Sequence, residues 1–281
     1  MKWFKLLFVF ISLTSFCQVD PSLPDYSEWT VLTKGMEYRE VKAPLKSVVG
    51  DSKLSILRMD PKHFDFGIHA ATAYDRKPRT LYDWADTFRL NVVFNAGMYD
   101  LSKPLMSKGY LGTKDHINNG VLREYYRSMI AVGSTDTSKH QNIEILDLGC
   151  ESFQSRKNDF QGFAQGLRMI NCDGVAMAWN KRNQSCSMMV AAQDSKGWFY
   201  LIFCRSPYTH NQMIRFMKDM PYGLTNAIYL EGGPETSLLI DVNGHCIEKV
   251  GSYVSSTYER DDNTNFWKLP NVIGVRERIR N

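Results

Sequence analysis

Two strand ends broken by glycine constrain this chain more than any other feature. The first is Val92-Val93-Phe94-Asn95-Ala96-Gly97-Met98-Tyr99-Asp100. The second is Ala227-Ile228-Tyr229-Leu230-Glu231-Gly232-Gly233-Pro234-Glu235-Thr236-Ser237-Leu238. In each, an apolar run rich in strand formers stops at a polar side chain followed closely by glycine. A buried strand that delivers Asn, Asp or Glu to a point where backbone can approach a ligand is a common way to build an active site.

The rest of the chain supplies sheets for those strands. Residues 29–32, 36–41, 54–57 and 64–69 read as β. Thr80 opens a helix, with Asp83 three residues later as in a capping box, and Leu81, Trp84, Ala85 and Phe88 form its apolar face. Residues 101–119 read as a loop punctuated by Pro104, Gly109 and Gly112, and Asn119-Gly120 is a turn signal. Strands resume at 128–132 and 143–148, and 162–169 leads to a further β segment near 175–179. Residues 186–192 and 198–204 form a hairpin. Thr209 and Gln212 then begin a second helix, whose buried stripe includes Met213, Ile214, Phe216, Met217 and Met220. Asn243-Gly244 turns the chain back. These elements predict one β-rich α+β domain over residues 18–281, with mixed sheets and a few helices packed on them.

Residues 1–17 read as a signal peptide. Lys2 and Lys5 precede an apolar run too short to span a bilayer, and Ser15 and Cys17 supply small residues before a cut at Gln18. A lipoprotein would acylate Cys17, but the bulky Phe16 before it argues against that. No later run approaches the roughly 20 apolar residues of a transmembrane helix. The expected location is therefore secreted or periplasmic. Net charge falls from +4 to +2 once Lys2 and Lys5 leave, with no long basic block, so nucleic acid is not an expected partner. Cys150, Cys172, Cys186, Cys204 and Cys246 remain after cleavage. No Cys-x-x-Cys occurs, and Cys186 and Cys204 sit in apolar runs as small buried residues. The six histidines lack metal-ligand spacing, and Asp261-Asp262-Asn263 with Asn265 reads as an acidic turn. No metal and no cofactor is called for.

Asn95 ends a rigid element and can both donate to and accept from a sugar hydroxyl, while Gly97 leaves room for a ring. The plain alternative is a strand-to-turn exit. Gly232-Gly233 lets backbone amides face a ligand, and Glu231 and Glu235 are two carboxylates four residues apart around Pro234. Paired carboxylates serve as acid, base or nucleophile in glycoside cleavage, against the alternative of two solvated turn residues. Arg127, Arg168 and Arg205, each close to a strand, can grip phosphate or remain surface ions.

Taken in order, these motifs resemble the phosphodiester glycosidase family over about residues 92–240. The matching pieces are Asn95-Ala96-Gly97, Asn119-Gly120-Val121-Leu122, Gln165-Gly166-Leu167-Arg168-Met169-Ile170, the late hairpin and Glu231-Gly232-Gly233. Glu231 stands where the family usually shows Asp, and Pro234-Glu235 where it shows small residues. The arginine usual at the start of the late hairpin is absent, although Arg127-Ser128 occurs earlier. The resemblance implies an exported hydrolase that cleaves a sugar-1-phosphodiester, such as one of N-acetylglucosamine, or a related glycan linkage. It implies Glu231 as base or nucleophile at the anomeric centre, with Asn95 and Asp100 on sugar hydroxyls beside Gly97. It implies Gly232 and Gly233 amides, with Arg127 or Arg168, on the phosphate, and Glu235 and Ser237 in support. The alternative is a non-catalytic glycan-binding or envelope polysaccharide-associated protein on the same fold. Oligomeric state is not read from the sequence.

Overall fold

A computed structural model describes residues 27–100, 102–179 and 184–278. The expected signal peptide, Cys17 and Gln18 lie outside the described residues. Strands β1 (Thr30–Thr33), β2 (Met36–Lys42), β3 (Lys53–Met59) and β4 (Phe64–Ala70) come first, then helix α1 (Leu81–Phe88). Next are β5 (Val92–Asn95), β6 (Tyr99–Asp100), β7 (Lys103–Ser107), β8 (Leu111–Thr113), β9 (Ile117–Asn119), β10 (Ser128–Ser134) and β11 (Ile143–Asp147). A single turn, α2 (Phe153–Arg156), leads to β12 (Phe160–Ile170), β13 (Ser185–Asp194), β14 (Phe199–Thr209) and helix α3 (His210–Asp219). The chain ends with β15 (Leu224–Gly232), β16 (Ser237–Val242), β17 (His245–Val250) and β18 (Asn271–Glu277).

The large sheet runs β1-β2-β3-β14-β13-β15-β12-β10-β11, with β8 on β12 and β9 on β8; the small sheet runs β17-β16-β5-β18-β4. The β6–β7 hairpin stands apart. The β-rich α+β class expected from the sequence is what the structure shows. Its pairing is more uniform than mixed sheets, because every ladder described is antiparallel.

The sheets face one another across the main core. Val92, Phe94 and Ile273 of the small sheet join Met189, Ala191, Ile228 and Leu230 of the large one. Alternate residues point away from that core, as the two-residue period of a strand requires. Val93 meets Leu81 and Trp84 of α1 behind the small sheet, and Ala227 and Tyr229 meet Met213 and Met217 of α3 behind the large one. Burial on both faces explains why the strands preceding Asn95 and Glu231 are apolar without alternation. Helices α1 and α3 both start with the expected capping box, Thr80 with Asp83 and Thr209 with Gln212.

Two expectations are corrected. Residues 103–119 carry β7, β8 and β9 instead of a plain loop, because β8 finds partners far away in sequence: Leu111, Gly112 and Thr113 pair with Ala164, Phe163 and Gly162. Conversely, no strand forms at 175–179, where the backbone makes only an isolated bridge from Ile170 to Ala176. Cys150 and Cys172 are joined in a disulfide, while Cys186 and Cys204 are free and buried.

Candidate active site

The two glycine-broken strand ends belong to different sheets, and one turn joins them. Strand β15 ends between β13 and β12 in the large sheet, with Glu231 opposite Met189 and Gly232 opposite Met188. A 3-10 turn, Gly233–Glu235, carries the chain across to β16 in the small sheet. There Leu238 pairs with Phe94, the residue before Asn95.

Glycine is required on this path. Gly233 has φ +78°, and a Cβ there would lie 2.3 Å from Val254 Cγ2. A Cβ on Gly232 would lie 2.2 Å from the Tyr229 hydroxyl oxygen. Hydrogen bonds fix what glycine permits. The Asn95 Nδ2 donates to the Glu235 carbonyl over 2.9 Å, and Asn95 Oδ1 accepts from the Ser237 N–H over 2.8 Å. The Ser237 hydroxyl donates to the same Glu235 carbonyl over 3.0 Å. Asn263, read from the sequence as part of an acidic turn, is buried and donates to the Gly251 carbonyl over 2.7 Å, while Asp261 pairs with Arg205.

This frame places Glu231 and Glu235 in each other's field. Burial, then the Glu235 charge, pushes the Glu231 carboxyl up to about 8, against the opposing pull of the Gly232 N–H and the Lys108 ammonium. The Gly232 N–H donates to Glu231 Oε1 over 3.1 Å. Burial also raises the Glu235 carboxyl, which is held back by its own backbone N–H and by the Tyr99 hydroxyl. The Tyr99 hydroxyl is in turn pushed up by burial, then by Glu235 and Glu231. Tyr229 and Tyr126 lie within reach of the same charge, and burial raises both phenols. Behind them the Cys186 thiol is pushed up to about 12 by burial, so it is a neutral packing group here.

Thus the structure gathers Asn95, Glu231, Gly232, Gly233, Glu235 and Ser237 at one turn. Gly97, at φ +133°, stands where a Cβ would be 3.5 Å from the Gln165 carbonyl. Asp100 belongs to the neighbouring β6–β7 hairpin. Its Oδ1 accepts from the Ser102 hydroxyl over 2.7 Å and the Ser102 N–H over 2.9 Å, which lowers its pKa. Arg127 and Arg168 both reach the space where Gly149 lacks a side chain, and Arg168 pairs with the buried Asp147 over 2.6 Å. Asp147, Cys150 and Cys172 lie close enough to suggest a metal site, but the two sulfurs are bonded to each other and are not available as thiolate ligands.

Tyr99, Lys108, Tyr126 and Tyr229 are not singled out by the sequence. Tyr229, two residues before Glu231, would share its face on a regular strand, but a register shift there sets Glu231 opposite Met189 and Tyr229 opposite Val190, so the Tyr229 hydroxyl lies over Gly232 instead. Tyr126 gives no local signal, since only folding brings it to the carboxylates.

The sequence model of the phosphodiester glycosidase family matches residues 88–276. The fold is similar to the catalytic domain of zebrafish N-acetylglucosamine-1-phosphodiester alpha-N-acetylglucosaminidase, auto-inhibited by its pro-peptide. That match has a TM-score of 0.59 at 13% identity and covers 88% of this chain and 85% of that chain. A hypothetical protein from Synechocystis matches with a TM-score of 0.57 at 12% identity, over 88% of this chain and 63% of that one. No curated protein matches the sequence. With its two glycine-broken strand ends at one turn inside the matched region, the chain belongs to the phosphodiester glycosidase family.

Proposed function

We propose that the protein is an exported glycoside hydrolase acting on a sugar-1-phosphodiester. The observation that carries this reading is the Glu231–Glu235 pair: a buried and a half-buried carboxyl beside Tyr99, both displaced upward in pKa. Two neighbouring carboxyls displaced to different extents can hold one proton between an acid and an ionised base, both supplied by like residues.

The burial of Glu231 revises the role expected for it. It is the more strongly shifted group and holds the proton, so it gives that proton to the departing phosphate oxygen as the anomeric C–O bond breaks. Glu235, ionised, is then the base toward water or the nucleophile at the anomeric carbon. A free sugar and a phosphate monoester leave. Phosphate is a good leaving group, so stabilising the departing charge matters as much as protonating it. Lys108 is the cation whose field reaches Glu231, and it receives the phosphate; the Gly232 and Gly233 N–H groups, expected there from the sequence, are turned to Glu231 and to the Cys186 sulfur. Arg168, tied to Asp147, braces β12 on β11, with Arg127 beside it. Asn95 acts by positioning the turn, since both ends of its amide already hold backbone. Asp100 lies at the rim for a sugar hydroxyl.

The test is release of free sugar from a panel of sugar-1-phosphodiesters, including that of N-acetylglucosamine, by the native protein and by Glu231→Gln and Glu235→Gln. Turnover lost in both variants supports the pair. Full activity in either overturns its assignment, and binding without turnover by the native protein assigns the site to the glycan-binding alternative. Export rests on residues 1–17 and is checked by whether the mature chain begins at Gln18.

A further inference from the structure

We propose that the cleft between β4 and the β8–β9 hairpin is a second binding site, built for a neutral carbohydrate. It is a cavity of about 520 Å³, within the range of small-molecule sites. Neither Glu231, Glu235 nor Tyr99 lines it. The site therefore goes beyond the reaction and stands independently of it.

The cleft opens at the mouth of the sandwich. Strand β4 ends the small sheet and, among the described residues, pairs with β18 alone, so no strand lies on its other edge there, and Phe66, Ile68 and Ala70 of β4 line the cavity. An unpaired strand edge offers backbone donors and acceptors in a row. Core residues Leu111 and Val132 close the inner end. The outer end carries Tyr74, Asp115, His116 and Gln161.

Two of these rim groups are anchored. His116 Nε2 lies 2.8 Å from Thr72 Oγ1, and Thr72 Oγ1 also accepts from Asn118 Nδ2 over 2.8 Å. The Tyr74 hydroxyl lies 3.3 Å from His69 Nδ1, and its ring packs on Phe88 with centroids 4.7 Å apart. Tyr74 is nonetheless 47% exposed, an aromatic surface fixed at the mouth of a cleft.

The chemistry selects the ligand. No lysine or arginine lines the cavity, and its one carboxylate is Asp115. Phosphate and other anions find no counter-charge there. A neutral sugar offers an apolar face for Tyr74 and adjacent hydroxyls for a carboxylate, a carboxamide and free backbone groups. The apolar inner end with a polar rim suits a pyranose inserted edge-on.

The test is titration of the full chain with chitohexaose, cellohexaose and maltoheptaose up to about 10 mM, followed by NMR or calorimetry. The expected result is binding of at least one of them. It should be weakened about tenfold or more by Tyr74→Ala, and likewise by Asp115→Ala with Gln161→Ala, two exposed positions whose loss leaves the fold intact. Binding should persist in Glu231→Gln, and hydrolysis of a small sugar-1-phosphodiester should be unchanged in the cleft variants. No binding of any of the three, binding indifferent to both cleft variants, or binding abolished by Glu231→Gln alone overturns the proposal, without bearing on whether the carboxylate pair is catalytic.

Discussion

Asn95 Nδ2 donates to the carbonyl of Glu235 over 2.9 Å, tying the end of β5 to the turn that leads into its neighbour β16. The same side chain accepts from the Ser237 N–H, so one buried amide holds the backbone on both sides of Thr236. Asn95→Ala orphans the Ser237 N–H in the interior, at about 1–3 kcal/mol for a group left without a partner, and leaves the Glu235 carbonyl with its bond from the Ser237 hydroxyl. Denaturant unfolding should show that loss, and kcat should fall further than the folded fraction explains. Asn95→Asp should also lose activity, since a carboxylate oxygen facing the Glu235 carbonyl has no proton to donate.

The rate should be bell-shaped in pH. The descending limb follows loss of the Glu231 proton as pH rises through about 8. The ascending limb follows Glu235, which ionises above the ordinary carboxylate value of 4.5. Glu231→Gln should cut kcat by two orders of magnitude or more and remove the descending limb; roughly 10²–10⁴-fold is what general acid–base help provides. A descending limb that survives this substitution assigns it to another group.

Stability should follow the same group with a definite sign. Between 4.5 and about 8 the folded chain keeps a proton on Glu231 that the unfolded chain has released. The folded state therefore binds more protons in that window, and stability present below 4.5 is lost as pH rises through about 8. Glu231→Gln cannot release the proton, so its stability curve should be flatter there, by an amount on the order of a few kcal/mol for a shift of this size. Thermal unfolding of both proteins across that range measures the difference.

Lys108 is separable from the fold. Its side chain is exposed and makes no hydrogen bond or ion pair among the described residues, yet its charge reaches Glu231. Lys108→Ala should raise KM for phosphodiesters with little change in unfolding midpoint. It should also move the descending pH limb upward, because a cation that favours the ionised carboxylate has gone. Lys108→Arg should keep the limb in place. A purely structural lysine would leave the pH profile untouched.

These expectations separate what local sequence encodes from what only tertiary pairing decides. The strands ending at Asn95 and Glu231 are readable because burial on both faces leaves an unbroken apolar run, and the starts of α1 and α3 are readable because capping boxes are local. Strand β8 is not, since a three-residue segment containing glycine gains its long-range ladder from β12, about fifty residues away, as well as from the adjacent β9. The pairing of Glu231 with Glu235 follows from spacing, but not which of them keeps the proton. That depends on burial and on Tyr99 and Lys108, which reach the pair through the β6–β7 hairpin. Arg127 and Arg168 carry the right chemistry for phosphate, yet Asp147 holds Arg168.

Gly233 gives the last prediction, because it fixes the crossing from one sheet to the other. Its φ of +78° lies in the left-handed region, which costs roughly 1–2 kcal/mol for a residue with a side chain. The steric demand is larger: the added Cβ would sit 2.3 Å from Val254 Cγ2, so the segment around Val254 must move or the turn must open. Opening the turn shifts Glu235 relative to Glu231. Gly233→Ala should therefore lower both the unfolding midpoint and kcat. Gly233→Ala combined with Val254→Ala relieves the contact but not the backbone strain, so it should recover part of the stability while the left-handed cost remains. Gly244 is the control, at the same φ of +78° in the β16–β17 turn, where an added Cβ would meet no atom within 4 Å. Gly244→Ala should show the backbone cost alone and leave kcat unchanged. Equal effects at the two glycines would mean that the turn beside Glu235 has no special hold on the carboxylate pair.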